Sequence, residues 1–83
     1  MNRDEALVLI RDVLTDVVPG ADAAALAPDE NFRDNLEMDS LDFLNFIEAL
    51  SERTGLALPE SDYQALNTVD GCAGYVTART SVK

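Results

Sequence analysis

The residues able to do chemistry are Asp39, Ser40 and Asp42, in the run Asp39-Ser40-Leu41-Asp42 that opens an apolar pattern of helical spacing. In that pattern Phe43, Phe46, Ile47 and Leu50 stand at i, i+3, i+4 and i+7, the stripe by which an amphipathic helix meets a core. Ser40 is thereby placed at the mouth of a helix, where the first backbone N–H groups lack partners and the macrodipole is positive. A phosphate ester on its hydroxyl would be favoured there. Asp39 and Ser40 are equally preferred N-cap types, and Asp42 follows Asp39 at the spacing of a capping-box acid. On its own, then, the run is also an ordinary cap.

A hydroxyl at this place has no base of its own to activate it. The chain contains no histidine, the usual general base near neutral pH, so neither a Ser-His-Asp nor a Cys-His arrangement can be assembled. Any reaction at Ser40 is therefore expected to be performed by another protein, and no catalytic residue is assigned. The single cysteine, Cys72, cannot close an internal disulfide, and with no histidine or second cysteine there is no zinc site. On an apolar helical face it reads as a small packing residue. The acidic stretch from Asp34 to Asp39 puts Leu36 and Met38 where a calcium loop needs oxygen ligands and a central glycine. No metal is expected.

Several elements must hold Ser40 in place. A first helix starts at Asn2 as N-cap with Glu5 as capping-box partner, and carries Leu7, Ile10, Leu14 and Val17 with Val13 widening the stripe. Val18-Pro19-Gly20 ends it. The connection from Pro19 to Met38 is long for so small a domain, so it is expected to be functional or to carry structure of its own. Ala21 to Leu26 suits a brief helical turn, and Leu26, Phe32 and Leu36 are the expected anchors to the bundle. The second helix is expected over Ser40 to Arg53, stopped by Thr54-Gly55. After an extended link through Leu56, Leu58 and Pro59, acids at Glu60 and Asp62 open a short helix reaching Leu66.

Asn67-Thr68 then marks a break and a new cap. Val69, Cys72, Ala73 and Val76 form the stripe of the last helix. Gly71 and Gly74 each weaken it by ~1 kcal/mol relative to Ala, which fits either a close approach by a neighbour or a marginal helix. Thr77 to Lys83 is expected to fray. Period-two alternation is nowhere sustained. The expected architecture is one all-α domain over residues 1–83, a four-helix bundle of three main helices and one short one with a long first loop.

Composition narrows the partners. In 83 residues, 47% are apolar, and 16 acids against six bases give a net charge of −10. Such a surface repels nucleic acid and anionic lipid headgroups and favours basic protein surfaces. No apolar run approaches a membrane span, and Met-Asn-Arg-Asp-Glu does not read as a secretory signal, so a cytoplasmic location is expected. Leu41 and Leu44 lie off the buried stripe beside Asp42, Glu48 and Glu52, forming a candidate docking spot next to Ser40.

Taken together, these residues resemble the acyl carrier protein family over nearly the whole chain. The resemblance rests on Phe32 and Leu36 ahead of Asp39-Ser40-Leu41-Asp42, Ala49-Leu50 in the second helix, Leu58-Pro59 followed by acids, and Thr68-Val69 at the last helix. It implies that Ser40 receives 4′-phosphopantetheine from coenzyme A through a magnesium-dependent phosphopantetheinyl transferase. The arm's thiol would then carry acyl groups as thioesters between loading and using enzymes with basic surfaces. Asp39, Leu41, Asp42, Leu44, Glu48 and Glu52 become the expected partner face, Phe32, Phe46, Leu58, Leu66, Cys72 and Val76 the candidate lining of an acyl pocket, and the chain an expected monomer.

Departures from the family pattern occur at Glu37, where many members have glycine, at Asn45 and Ser51, where fatty-acid carriers commonly show acids, and at Glu48, which replaces a usual apolar residue. These place the chain apart from housekeeping fatty-acid carriers and towards a discrete carrier for a specialised fatty-acid, lipid or polyketide pathway. The alternatives are an aminoacyl or peptidyl carrier, and an unmodified helical interaction module in which Ser40 is a cap.

Overall fold

The computed structural model describes residues 1–80. At its start Asn2 closes the expected capping box: its side chain accepts from the Glu5 N–H at 2.8 Å, and its own N–H donates to the Glu5 carboxylate at 2.9 Å. Helix α1 (Arg3–Val17) buries Ala6, Ile10, Val13 and Leu14, while Leu7 and Val17 are half-buried at the margins. The stripe is thus rotated towards Ala6, whose small side chain gives no strong sequence signal. Gly20 at φ +86° turns the chain away from the helix.

The long connection carries structure of its own. A 3₁₀ turn at Ala23–Ala25 is tied to α1 by Arg11, which donates to the carbonyls of Ala23 at 3.3 Å and Leu26 at 3.2 Å. A one-turn helix, α2 (Phe32–Asn35), follows, with the Asn31 side chain accepting from the Asp34 N–H at 3.1 Å. Four residues are too few to show a period, so this helix was not expected. Backbone bonds from Phe32 N–H to the Asn67 carbonyl (3.0 Å) and from Asp70 N–H to the Pro28 carbonyl (2.7 Å), with an antiparallel bridge between Asn31 and Thr68, stitch the connection to the start of the last helix.

Of the expected anchors Leu26 and Phe32 are buried, but Leu36 is only half-buried. Met38 is the further anchor that faces the core. Glu37, at φ +53°, turns the chain so that Met38 points inward and its N–H donates to the Arg33 carbonyl at 2.9 Å.

Helix α3 (Ser40–Thr54) buries the stripe Phe43, Phe46, Ile47 and Leu50 and ends at Gly55 in the left-handed region. Phe46 meets Phe32 edge-on at 5.1 Å between ring centroids, a geometry worth ~0.5–1.5 kcal/mol beyond the area buried. The expected short helix is a 3₁₀ helix at Glu60–Leu66. Helix α4 (Val69–Thr80) is capped by Thr68, whose Oγ1 accepts from the Gly71 N–H at 2.9 Å, and buries Val69, Cys72, Ala73 and Val76. It runs unbroken to Thr80 where fraying from Thr77 was expected: Thr80 Oγ1 donates to the Val76 carbonyl within the last turn. The rest of that expectation, residues 81–83, lies outside the described residues.

Helix α1 packs against both α3 and α4, giving a helical bundle with no strand among the described residues. Among them no helix is long and apolar enough to cross a membrane.

Candidate functional site

Ser40 is exposed as the first residue of α3. The cap itself is Asp39, whose carboxylate accepts from the Asp42 N–H at 2.8 Å. The return bond that completes the box in α1 is not formed here, because the shorter Asp42 side chain stands where Glu5 does in α1. With the cap supplied by its neighbour, the Ser40 hydroxyl is left out of the helix's own bonding and sits beside a positive helix end. Of the Asp-Ser pair, Asp39 takes the capping role.

The hydroxyl has one notable neighbour. Arg33 on α2 donates from Nη2 to Ser40 Oγ at 3.3 Å, and its guanidinium carbon lies 4.9 Å from the centroid of the Phe43 ring. Phe43 in turn meets Tyr63 edge-on at 5.5 Å. Arg33, Phe43 and Tyr63 form a wall shared by two open grooves. One, of about 160 Å³, contains Ser40, Leu44 and Glu60; the other, of about 410 Å³, adds Asn31, Asp34, Gln64 and Asn67.

Arg33 and Tyr63 are the site residues that sequence reasoning missed. The available signal was that Arg33 is the sole base between Pro19 and Met38. It gained meaning only once α2 carried it back to Ser40.

On the expected partner face Asp39, Leu41, Leu44, Glu48 and Glu52 are exposed, and Asp42 is half-buried. Leu41 keeps 66% of its surface in solvent and Leu44 42%, enough for an apolar contact beside the acids. The expected pocket residues stand elsewhere. Phe32, Phe46, Leu66, Cys72 and Val76 are fully buried, Leu58 is nearly so, and none of the six lines either groove. Cys72 donates to the Leu66 carbonyl at 3.2 Å, and burial pushes its thiol pKa well up. No group of three or more His, Cys, Asp or Glu is placed to hold a metal among the described residues.

An exposed hydroxyl at a helix N-terminus with a guanidinium beside it is a place where a phosphate ester would be favoured. The comparisons with known proteins agree in kind. The family model for the phosphopantetheine attachment site matches residues 9–76. An acyl carrier protein of Rubrobacter xylanophilus is 34% identical over 76 residues, covering 92% of this chain and 93% of that one. Acyl carrier proteins of Acidothermus cellulolyticus and Thermosynechococcus vestitus are 25% and 27% identical, covering 96% and 98% of this chain and 94% and 99% of their own. The matched span contains Ser40, Arg33 and both groove walls, and the chain belongs to the family of acyl carrier proteins, which bear covalently attached 4′-phosphopantetheine.

Proposed function

We propose that Ser40 is the attachment residue and that the chain serves as a discrete acyl carrier in a specialised fatty-acid, lipid or polyketide pathway. The observation that carries this is the division of labour at α3: Asp39 caps the helix, and Ser40 presents a solvent-facing hydroxyl at its positive end. Once attached, the arm supplies a terminal thiol that holds an acyl group as a thioester.

In the attachment reaction Ser40 Oγ bonds to the phosphorus of the pantetheine-side phosphate of coenzyme A, and 3′,5′-ADP departs. The hydroxyl proton goes to a base of the transferase, since this chain has no histidine to receive it. Asp39, Asp42, Glu48 and Glu52 then face basic surfaces on the transferase and on acyl-loading and acyl-using enzymes, with Leu41 and Leu44 as the apolar contact. A charge-steered patch of this size favours rapid, salt-sensitive encounter over tight binding, which suits a protein that must release each partner. In this role the chain carries and does not catalyse. Phe32, Phe46, Leu58, Leu66, Cys72 and Val76 would touch an acyl chain only if the helices part to admit it, since all six are packed in the core.

The test is the intact mass after incubation with coenzyme A, magnesium and a broad-specificity phosphopantetheinyl transferase, beside Ser40→Ala. A gain of one phosphopantetheinyl group that vanishes in the variant is expected. The variant keeps the Asp39 cap and so stays folded by circular dichroism. No gain in folded wild-type protein with more than one transferase would overturn the assignment and favour an unmodified interaction module. Loading the modified protein from acyl against aminoacyl donors separates an acyl carrier from an aminoacyl or peptidyl one.

A further inference from the structure

Resting on the attachment at Ser40, we propose that Arg33 is a built-in counter-ion for the phosphodiester and seats the arm in the groove between α2 and the 3₁₀ helix Glu60–Leu66. The need for such a group is electrostatic. Asp39 and Asp42 flank Ser40 in sequence, Glu60 lines the same groove, and the whole chain carries −10. A phosphodiester adds one more permanent negative charge at this place. The end of α3 offsets part of the repulsion, and Arg33 is the cation already there, with Nη2 donating to the oxygen that becomes the ester linkage.

Arg33 is also available for the task. Arg3 pairs with Asp70, Arg53 with Asp16 at 3.3 Å and Arg79 with Asp62 at 3.9 Å, while Arg11 is spent on the carbonyls of Ala23 and Leu26. Among the described residues no carboxylate comes within ion-pair distance of Arg33. Its guanidinium is held in place by the Phe43 face, and a planar guanidinium matches phosphate oxygens better than a point charge does.

The groove supplies the rest of the fit. The groove at Ser40 and the larger one beside it share Arg33, Phe43 and Tyr63, and the larger one adds Gln64, Asn67, Asn31 and Asp34. Aromatic faces and side-chain amides match an arm that is a short aliphatic chain interrupted by a hydroxyl and two amides. At rest the arm lies along this surface groove, outside the core, and leaves it when a partner's cation replaces Arg33.

The experiment compares backbone amide NMR spectra of the unmodified and modified wild type with those of Arg33→Gln, the variant being loaded with excess transferase. Modification is expected to shift the amides of Tyr63, Gln64 and Asn67 in the wild type. In Arg33→Gln those shifts are lost while shifts beside Ser40 remain, and the ³¹P resonance of the phosphodiester moves relative to wild type. Wild-type shifts confined to the residues next to Ser40, or distal shifts equal in the two proteins, would overturn the seating. Absence of modification in the wild type would instead overturn the attachment on which it rests, so the two failures are distinguishable. Spectra of unmodified Arg33→Gln show whether the fold is kept; if it is not, Arg33→Lys replaces it and must retain a weakened form of the distal shifts.

Discussion

Gly71 of α4 lies so close beneath the backbone carbonyl oxygen of Ala65 that a Cβ at this position would penetrate that oxygen, and it would also meet Thr68 Oγ1 at 2.8 Å. The contact joins the 3₁₀ helix Glu60–Leu66 to the first turn of α4, and a backbone atom cannot swing aside as a side chain can. Gly71→Ala is therefore expected to destabilise the fold by ~1–3 kcal/mol through overpacking, despite a helix-propensity gain of up to ~1 kcal/mol. Gly74 has nothing within 4 Å of the corresponding Cβ position, so Gly74→Ala is expected to stabilise by up to ~1 kcal/mol. Urea midpoints of the two variants should move in opposite directions from wild type. Movement in the same direction would show that the Ala65 contact does not control the site.

The turn at Glu37 gives a second test. A residue with a side chain at φ +53° costs roughly 1–2 kcal/mol in the left-handed region, whereas glycine adopts it freely but loses more entropy on folding, about 0.5–1 kcal/mol. Glu37→Gly is thus expected to stabilise the protein by a few tenths to about 1 kcal/mol, and Glu37→Val to destabilise it by more than that, since β-branched residues fit this region worst. Thermal melts of both variants check the order. A less stable Glu37→Gly would contradict it.

What could be read in advance follows from how local the governing physics is. The Asn2–Glu5 box, the Phe43–Leu50 stripe, the Gly55 stop and the Val69–Val76 stripe are each fixed by residues within two turns of one another, so spacing alone reveals them. Helix α2 and the inward turn of Met38 depend on bonds to Asn67 and on an unusual dihedral at Glu37, which leave no periodic mark. The site shows the same division. Ser40 and its acidic and leucine neighbours were legible as a cap-like run beside a helix. Arg33 and Tyr63 were not, because α2 carries Arg33 back to Ser40 and the packing of the 3₁₀ helix Glu60–Leu66 against Phe43 brings Tyr63 to the same groove, both of them long-range contacts.

Cys72 makes stability dependent on alkaline pH. Burial raises its thiol pKa well above the ordinary 9.0, so the folded chain holds the proton while the unfolded chain releases it. A raised folded-state pKa gives stability that is complete below the unfolded pKa and is lost as pH rises above it. The loss above about pH 9 approaches ~1.4 kcal/mol per pH unit for one full proton. Cys72→Ala should start lower in stability and yet fall less steeply between about pH 9 and 10. Tyr75, whose hydroxyl pKa is raised by its hydrogen bond to Asp62 and then by burial, contributes the same sign in both proteins and cancels in the difference. Parallel pH profiles would refute the assignment to Cys72.

Asp39 permits capping and recognition to be separated, because asparagine caps a helix as well as aspartate but carries no charge. Its carboxylate oxygen accepts from the Asp42 N–H, so Asp39→Ala is expected to lose about 0.5–2 kcal/mol of stability, and Asp39→Asn almost none. If the exposed carboxylate also steers basic partners, both variants should load phosphopantetheine more slowly than wild type, on the order of tenfold in kcat/KM at low salt, with the gap closing as salt screens the charge. Loading of Asp39→Asn at the wild-type rate, with Asp39→Ala slow only in proportion to its unfolded fraction, would confine Asp39 to the cap. The acidic partner face would then have to be carried by Asp42, Glu48 and Glu52 alone.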